Sequence, residues 1–222
     1  MNIIKGLIIK DILQLKNYRK TLVVFILIFM LVSISEIDGI GNMLALMLTL
    51  AFAMFSMASF NYDELNKTDR YILTLPITRR QVVLSKYIFV ICSTLIGSII
   101  GTVIGFILTS LVNKQISNIG EIITIGLGEM MEIGLIEAIQ IPCIYKWGAE
   151  KGRIQMVLIT ALVIALTSVI VFIGKKVNIQ FPVNNFFDIF NKFLPLIFIV
   201  TTIIIYYISF KIAYKIYNKK EI

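Results

Sequence analysis

Three glutamates lie within one long apolar segment, and they are the residues of this chain best placed to do chemistry. Glu129, Glu132 and Glu137 fall within residues 122–144, where an ionised acid at a bilayer centre costs about 2.5–3.5 kcal/mol on insertion scales. At 100° per residue their directions span about 140° of the helix. The spacing therefore predicts one acidic face directed toward protein or water.

Three arrangements are compatible with this acidic face. The glutamates are paired or protonated inside a helix bundle, or they line a translocation path, where they would favour cationic cargo. In the third arrangement some of them lie outside the membrane. Gly126, Gly128 and Gly134 keep that arrangement open, because glycines can interrupt a helix.

Other chemistries are excluded by residues that the chain lacks. It has no histidine, which removes histidine bases, histidine metal ligands and Ser-His triads. Cys92 and Cys143 have no metal or redox spacing and are expected to be buried free thiols. The sequence contains no phosphate-binding loop. We therefore expect neither a metal site nor catalysis, and no ATP hydrolysis by this chain itself.

The elements that position these acids follow from composition. Of 222 residues, 58% are hydrophobic and 15% are charged, with mean hydropathy +0.91, against about 45–50% and 25% in soluble domains. A bilayer core takes about 20 apolar residues per helix. The chain is predicted to be one all-α transmembrane domain, residues 1–222, with six spans at 21–35, 42–60, 87–112, 122–144, 154–173 and 193–210.

The basic residues predict the orientation of these spans. Alternate extramembrane segments hold five, five, three and four basic residues, which is 17 of the 21 in the chain. Short loops rich in Lys and Arg stay on the cytoplasmic side, so both termini are predicted to be cytoplasmic in a plasma-membrane protein. The +8 charge is thereby explained without nucleic acid as a partner.

The amino terminus, residues 1–17, carries a helical pattern with apolar residues at three- and four-residue steps: Ile4, Leu7, Ile8, Ile12 and Leu15. A helix lying in the membrane interface fits this pattern. It would act as a plain anchor for the first span, or as an elbow that pivots when the bundle opens.

The loop at residues 61–86 carries helix signals of its own. Asn61 is a candidate cap with Glu64 three residues later, Pro76 ends that helix, and Thr78 with Gln81 forms a second capping box. The first of these helices is either simply solvated or suited to docking a protein, since it carries a mixed polar and aromatic face: Tyr62, Asp63, Glu64, Lys67, Asp69 and Arg70.

Small residues recur every fourth position in the third span. Gly97, Gly101 and Gly105 form the centre of this stripe, and such spacing lets helices approach closely in lipid. The helix that packs on this stripe lies either in the same subunit or in a second subunit. In the outer loop, residues 174–192, four phenylalanines predict an interfacial helix or a gate.

Taken together, the sequence resembles the ABC-2 type permeases of ATP-binding-cassette exporters. The resemblance rests on six spans, the amphipathic amino terminus, the run NYDELNKTDRYILTLPITRRQVVLSKY at 61–87 and the tract IQIPCIYKWGAEKGR at 139–153. It covers essentially the whole chain. Within this group the sequence looks most like the permeases of phenol-soluble modulin exporters, which move amphipathic peptides.

The resemblance implies partners and contact residues. A coupling helix over residues 62–71, including Tyr71, would enter a cleft of a separate ATPase, with Asp63 and Glu64 as its ion-pairing residues. Lys146, Trp147 and Glu150 would form a second contact. Two ATPase copies would hold the ATP and Mg²⁺, and this chain would hold no cofactor. One six-span unit is about half of the usual pathway, so a second permease, preferably the same chain, is implied.

Two other functions remain open at this point. The chain could be a proton-coupled secondary transporter that uses the three glutamates as proton sites. It could also be an immunity or sensory membrane protein that binds a peptide without exporting it. Neither alternative needs an ATPase.

Overall fold

The computed structural model describes residues 3–16, 19–34, 40–72, 74–113, 119–152 and 185–220, with single helical positions between 154 and 169. Every regular element in these ranges is a helix, which confirms the all-α prediction. The helices are α1 (Ile3–Leu15), α2 (Arg19–Ile34), α3 (Ile40–Leu65), α4 (Thr68–Ile72), α5 (Arg79–Asn113), α6 (Ile119–Trp147) and α7 (Asn185–Lys219).

Among the described residues, three segments are long and apolar enough to cross a membrane: Met43–Leu65, Arg79–Leu111 and Ile199–Lys219. The 16 residues of α2 reach only about 24 Å, short of a core of about 30 Å, and α6 carries several acids. Five predicted spans coincide with α2, α3, α5, α6 and α7. The sixth, 154–173, lies almost wholly outside the described residues, as do residues 174–184 of the outer loop, whereas 185–192 belong to α7. The six-span count stays a prediction.

Helices from all parts of the described chain meet at one end of the bundle. Among the described helices, the pairs α3 with α5 and α6 with α7 make the most extensive contacts, and α1 lies against α3 and α5. A group of buried apolar side chains combines residues of α1, α3, α4, α5, α6 and α7, among them Leu7, Phe60, Ile72, Ile144 and Tyr217. We call this region, where the segments at 61–79, 147–149 and 217–220 meet, the loop end.

The turn after α3 differs from its prediction. The predicted cap at Asn61 is wrong, because α3 runs through this residue to Leu65. The chain then turns at Lys67, whose φ is +51°, and α4 has only five residues. Phe60, just before Asn61, lies in the core, and Asp63, just after it, is buried and held by Lys10 and Lys86. These tertiary contacts on both sides of Asn61 override a local capping signal.

The second capping box is confirmed. The backbone N–H of Thr78 donates to Gln81 Oε1 at 3.0 Å, and the N–H of Gln81 faces Thr78 Oγ1 at 3.4 Å. Helix α5 begins at Arg79 and continues without interruption to Asn113, as the sequence predicts. The cap therefore fixes where the loop becomes a spanning helix.

Helix α6 contains a proline whose missing bond is replaced by another helix. Pro142 has no N–H to donate to the carbonyl of Ala138. The hydroxyl of Ser209 in α7 donates to that carbonyl instead, and Tyr87 OH lies 2.6 Å from Ser209 Oγ. Helix α6 also runs unbroken through Gly126, Gly128 and Gly134, so these glycines do not interrupt it, and the arrangement with some of the acids outside the membrane stays a prediction.

Candidate docking surface at the loop end

Four charged side chains form an ion network that joins α1, α3 and α5. Asp63 Oδ1 lies 2.8 Å from Lys10 Nζ, and Asp63 Oδ2 lies 2.6 Å from Lys86 Nζ. Asp11 Oδ1 lies 2.8 Å from Lys86 Nζ and 3.2 Å from Lys10 Nζ. Two cations and two anions neutralise one another, so this network (Lys10, Asp11, Asp63 and Lys86) can be buried without a net charge.

Further polar contacts complete the network. Gln14 Nε2 donates to Asp63 at 3.1 Å, Lys86 donates to Ser59 Oγ at 3.0 Å, and Lys86 Nζ lies 4.9 Å from the centre of the Phe60 ring. Burial opposes the charged form of Lys10, but Asp11 and Asp63 outweigh it and raise the pKa of Lys10. The amino-terminal helix is therefore fastened to the bundle by ionised groups.

This fastening changes how α1 is oriented. The predicted apolar face includes Ile12, yet this side chain is mostly exposed, while Asp11 is buried between Leu7 and Leu15. The sequence does not reveal which cation pairs with Asp11, because its partner Lys86 lies 75 residues away. Helix α1 is docked on α3 and α5 by its Leu7–Asp11–Leu15 side.

Among the predicted ATPase contacts, Asp63 is directed into the chain. It is buried and its carboxylate is held by the network. Its assignment as a residue that pairs with an ATPase stays a prediction, and the structure places its partners in α1 and α5. The charge of Asp63 holds the end of α3 against α1 and α5.

Glu64 joins the two predicted contact segments. Its carboxylate accepts a hydrogen bond from the backbone N–H of Ala149, at the start of a helical segment over 149–152. Gly148 has φ +90°, and a Cβ atom there would lie 2.7 Å from Glu64 Oε1. Glycine is thus required for this approach, and the loops after α3 and α6 form one surface.

The end of α7 is tied to the same region. Tyr217 OH donates to Asp69 Oδ1 at 3.2 Å, and Arg79 donates to the backbone carbonyls of Tyr217, Asn218 and Lys220 at 2.7–3.1 Å. These carbonyls end a helix and carry partial negative charge. A guanidinium from the start of α5 therefore caps α7, and Asp69 is used within the chain.

An apolar and aromatic surface remains exposed at the loop end. The side chains of Leu65 and Tyr71 are 78% and 72% exposed, and Leu75 and Trp147 are also exposed, with Arg70 beside them in α4. We call these five residues the docking surface. Leu65 and Leu75 were missed by the sequence prediction, although Leu65, between the polar residues Glu64 and Asn66, was an available signal.

The remaining predicted contact residues surround this surface. Tyr62 is half-buried, whereas Lys67 and Glu150 are exposed. Lys146 is exposed and its Nζ lies 4.6 Å from the centre of the Trp147 ring. The docking surface and its sequence neighbours thus combine exposed apolar and aromatic side chains with charged ones, and both kinds occur in protein interfaces.

The acids of α6 have a different environment. Glu137 is 1% exposed, and its Oε2 accepts hydrogen bonds from Thr94 at 2.7 Å and Tyr206 at 3.2 Å, while Oε1 has no partner among the described residues. Glu129 is also buried with one unpartnered oxygen, but Glu132 is exposed. Gln140, which the sequence prediction missed, is buried and has an unpartnered Oε1. The structure brings Glu137 alone into a polar cluster between α5, α6 and α7.

The glycine stripe of α5 packs on α3 of the same chain. A Cβ atom on Gly97 would lie 2.6 Å from Phe52 Cβ, and one on Gly101 would lie 2.7 Å from the carbonyl oxygen of Ala45. Gly105 is also buried. In the part of the chain that the structure describes, no group of His, Cys, Asp and Glu is suited to a metal ion.

Apolar helices long enough to cross a bilayer, and loops gathered at one end of the bundle, define a helical membrane protein. Residues 6–218 match the family described as ABC-2 family transporter protein, and the chain belongs to that family. No curated protein matches the chain. Membership identifies the chain as the membrane component of an ABC transporter, which in general works with an ATP-binding subunit.

Proposed function

We propose that this chain is the permease subunit of an ABC exporter that moves amphipathic peptides across the plasma membrane. A separate ATPase would bind the docking surface and supply the energy. The observation that carries the proposal is the meeting of the loops after α3 and α6 at one exposed apolar and aromatic surface. A surface of this kind in a membrane transporter is best explained by a protein partner.

The charge distribution supports a cytoplasmic location for the loop end. The contacts of Lys10, Arg79 and Glu64 gather the amino terminus, both loops and the end of α7 there. These are the segments that hold 17 of the 21 basic residues. By the positive-inside rule this end faces the cytoplasm, where an ATP-binding subunit resides.

The internal contacts suggest how movement of the ATPase is transmitted. A push on α4 would reach α7 through Asp69 and Tyr217. A push on the end of α3 would reach the segment after α6 through Glu64 and Ala149, and α1 through Asp63. Each connection is a hydrogen bond or an ion pair. The loop end would therefore move as one body that carries α1 with it, as the elbow hypothesis requires.

The assembly in this proposal contains two copies of the chain and two ATPase copies. ATP and Mg²⁺ would bind the ATPase, where hydrolysis takes place. The path for the peptide would lie between α5, α6 and α7, with the buried Glu129 and Glu137 as its polar groups. An unpartnered carboxylate oxygen in such a path favours Lys-rich cargo.

The test is co-purification of the ATPase from cells that express both proteins. Tyr71→Ala with Leu65→Ser should reduce the ATPase that accompanies the permease by about tenfold, as expected when exposed anchor residues of an interface are removed. Tyr207→Ala is the matched control, because Tyr207 is an exposed tyrosine within a spanning segment. Equal recovery of the ATPase with both variants would contradict the proposal.

A proton-coupled transporter is the second candidate, and the unpartnered oxygens of Glu129 and Glu137 favour it. Vesicles that contain the chain without any ATPase distinguish the two functions. Peptide movement driven by a pH gradient alone would support the proton-coupled transporter. Movement only with ATP and the ATPase would support the exporter.

A further inference from the structure

A cavity of about 190 Å³ lies between α1, α3 and α5. Its wall combines three aliphatic residues of α1, two phenylalanines of α3 and four residues of α5, including Ile12, Phe52, Cys92 and Ile96. None of the interactions proposed for the docking surface or the peptide path uses this cavity.

The cavity offers its occupant no conventional hydrogen bond. Its one hydroxyl group belongs to Ser93, and this hydroxyl donates to the backbone carbonyl of Phe52 at 3.0 Å. Apolar cavities of about 150 Å³ stay free of water and take up apolar molecules. The occupant of this cavity is therefore apolar where it contacts the wall.

The cavity is open at the protein surface, where Ile12 of α1 and Ile96 of α5 are 55% and 50% exposed and Cys92 is exposed as well. Because α1 is predicted to lie in the membrane interface, the opening is expected at that depth of the bilayer. Asp11 precedes Ile12, and Lys86 lies one helical turn before Phe89 of the wall, so the ion network marks the polar boundary of this site. A bilayer supplies acyl chains at that depth.

Basic residues lie beside the opening. On the wheel of α1, Lys5 and Lys16 point about 20° and 40° away from Ile12, and both are exposed. Their charge complements the phosphate of an anionic lipid whose chain enters the cavity. A neutral apolar molecule would not use these lysines.

We propose that the cavity binds one acyl chain of an anionic phospholipid, with the headgroup phosphate against Lys5 and Lys16. The bound lipid fills the gap that α1 leaves beside α3 and α5. It becomes part of the contact between the amino-terminal helix and the bundle. The site does not depend on the cargo or on the ATPase.

Native mass spectrometry of the full chain, released from nanodiscs of phosphatidylglycerol and phosphatidylcholine, tests the proposal. Wild type should retain one phosphatidylglycerol per chain. Cys92→Phe fills the cavity and should lower this retention about tenfold, which corresponds to about 1.4 kcal/mol. Val103→Phe is the matched control, because Val103 is exposed on the same helix but does not line the cavity.

A second variant tests the headgroup without altering the packing. Lys5→Gln with Lys16→Gln should abolish the preference for phosphatidylglycerol over phosphatidylcholine, while Lys146→Gln with Lys151→Gln should preserve it. The proposal is overturned if Cys92→Phe retains lipid like wild type, or if Val103→Phe loses as much. The proposal would also be overturned if Cys92→Phe kept its bound lipid and instead lost the binding of a second copy of the chain or of an added cationic peptide.

Discussion

Both the loop end and the middle of α6 contain buried acids, but they treat them in opposite ways. Asp11 and Asp63 are neutralised by two lysines within 3.2 Å. Among the described residues, Glu137 receives hydrogen bonds only from hydroxyl groups and no cation pairs with it, although it shares with Asp11 one oxygen that has no hydrogen-bond partner. The first pair of acids thus maintains the structure, whereas Glu137 is left able to bind a proton or a cationic group.

The two regions also differ in what holds their helices together. Apolar side chains from six helices form a core at the loop end, where water provides the hydrophobic driving force. In the membrane, α5 meets α3 at glycines, where an added Cβ atom would collide with α3. Lipid provides no hydrophobic driving force between helices, so close packing holds them together instead. Substitutions should therefore affect the two regions for different reasons.

The largest effect is expected for Lys86→Met. This change leaves Asp11 and Asp63 with one cation between them, and removing one partner of a buried pair costs about 3–5 kcal/mol. Thermal unfolding of the purified chain measures the loss. Adding Asp11→Leu should restore much of the stability, because Lys10 still pairs with Asp63. As a control, Lys151→Met replaces an exposed residue and should change the free energy of unfolding by less than about 0.5 kcal/mol.

The next effect concerns the glycine contact in the membrane. Gly101→Ala places a Cβ atom 2.7 Å from the carbonyl oxygen of Ala45, and such overpacking costs about 1–3 kcal/mol. Gly128→Ala meets nothing within 4 Å and should be neutral or stabilising by up to about 1 kcal/mol. Equal stability of the two variants in the same unfolding assay would show that α5 does not need this close approach.

A smaller effect is expected at the start of α5. Thr78→Ala removes the hydroxyl of the capping box and should cost about 1 kcal/mol, whereas Thr78→Ser should retain most of the stability. Hydrogen exchange at the first turn of α5 measures the change locally. Faster exchange in the serine variant than in the alanine variant would contradict the role of the cap.

The smallest effect on stability is expected for Glu137→Gln. The amide oxygen can still accept from Thr94, so the stability should change by less than about 1 kcal/mol, in contrast to the several kcal/mol expected for Asp63→Asn. Transport of cationic peptides should nevertheless fall more than transport of neutral ones. A stability loss as large as that of Asp63→Asn would make Glu137 a structural residue.

Local signals were readable from the sequence, and long-range pairing was not. The helix within residues 1–17 and the cap at Thr78 follow from spacing within a few residues, and both were predicted. The cap at Asn61 failed because Phe60 and Asp63, on either side of it, are buried against other helices and α3 continues to Leu65. Asp63 was assigned outward since its partner Lys10 lies 53 residues away, and only the fold brings them together.

The most direct test of the docking surface is a photo-crosslinking amino acid placed at Tyr71 or, as a control, at Tyr207. In cells that contain the ATPase, crosslinks to it should form from position 71 and not from position 207. Both variants must retain peptide-stimulated ATP hydrolysis for the comparison to hold. An active complex that crosslinks the ATPase equally from both positions, or only from position 207, would contradict ATPase binding at the loop end.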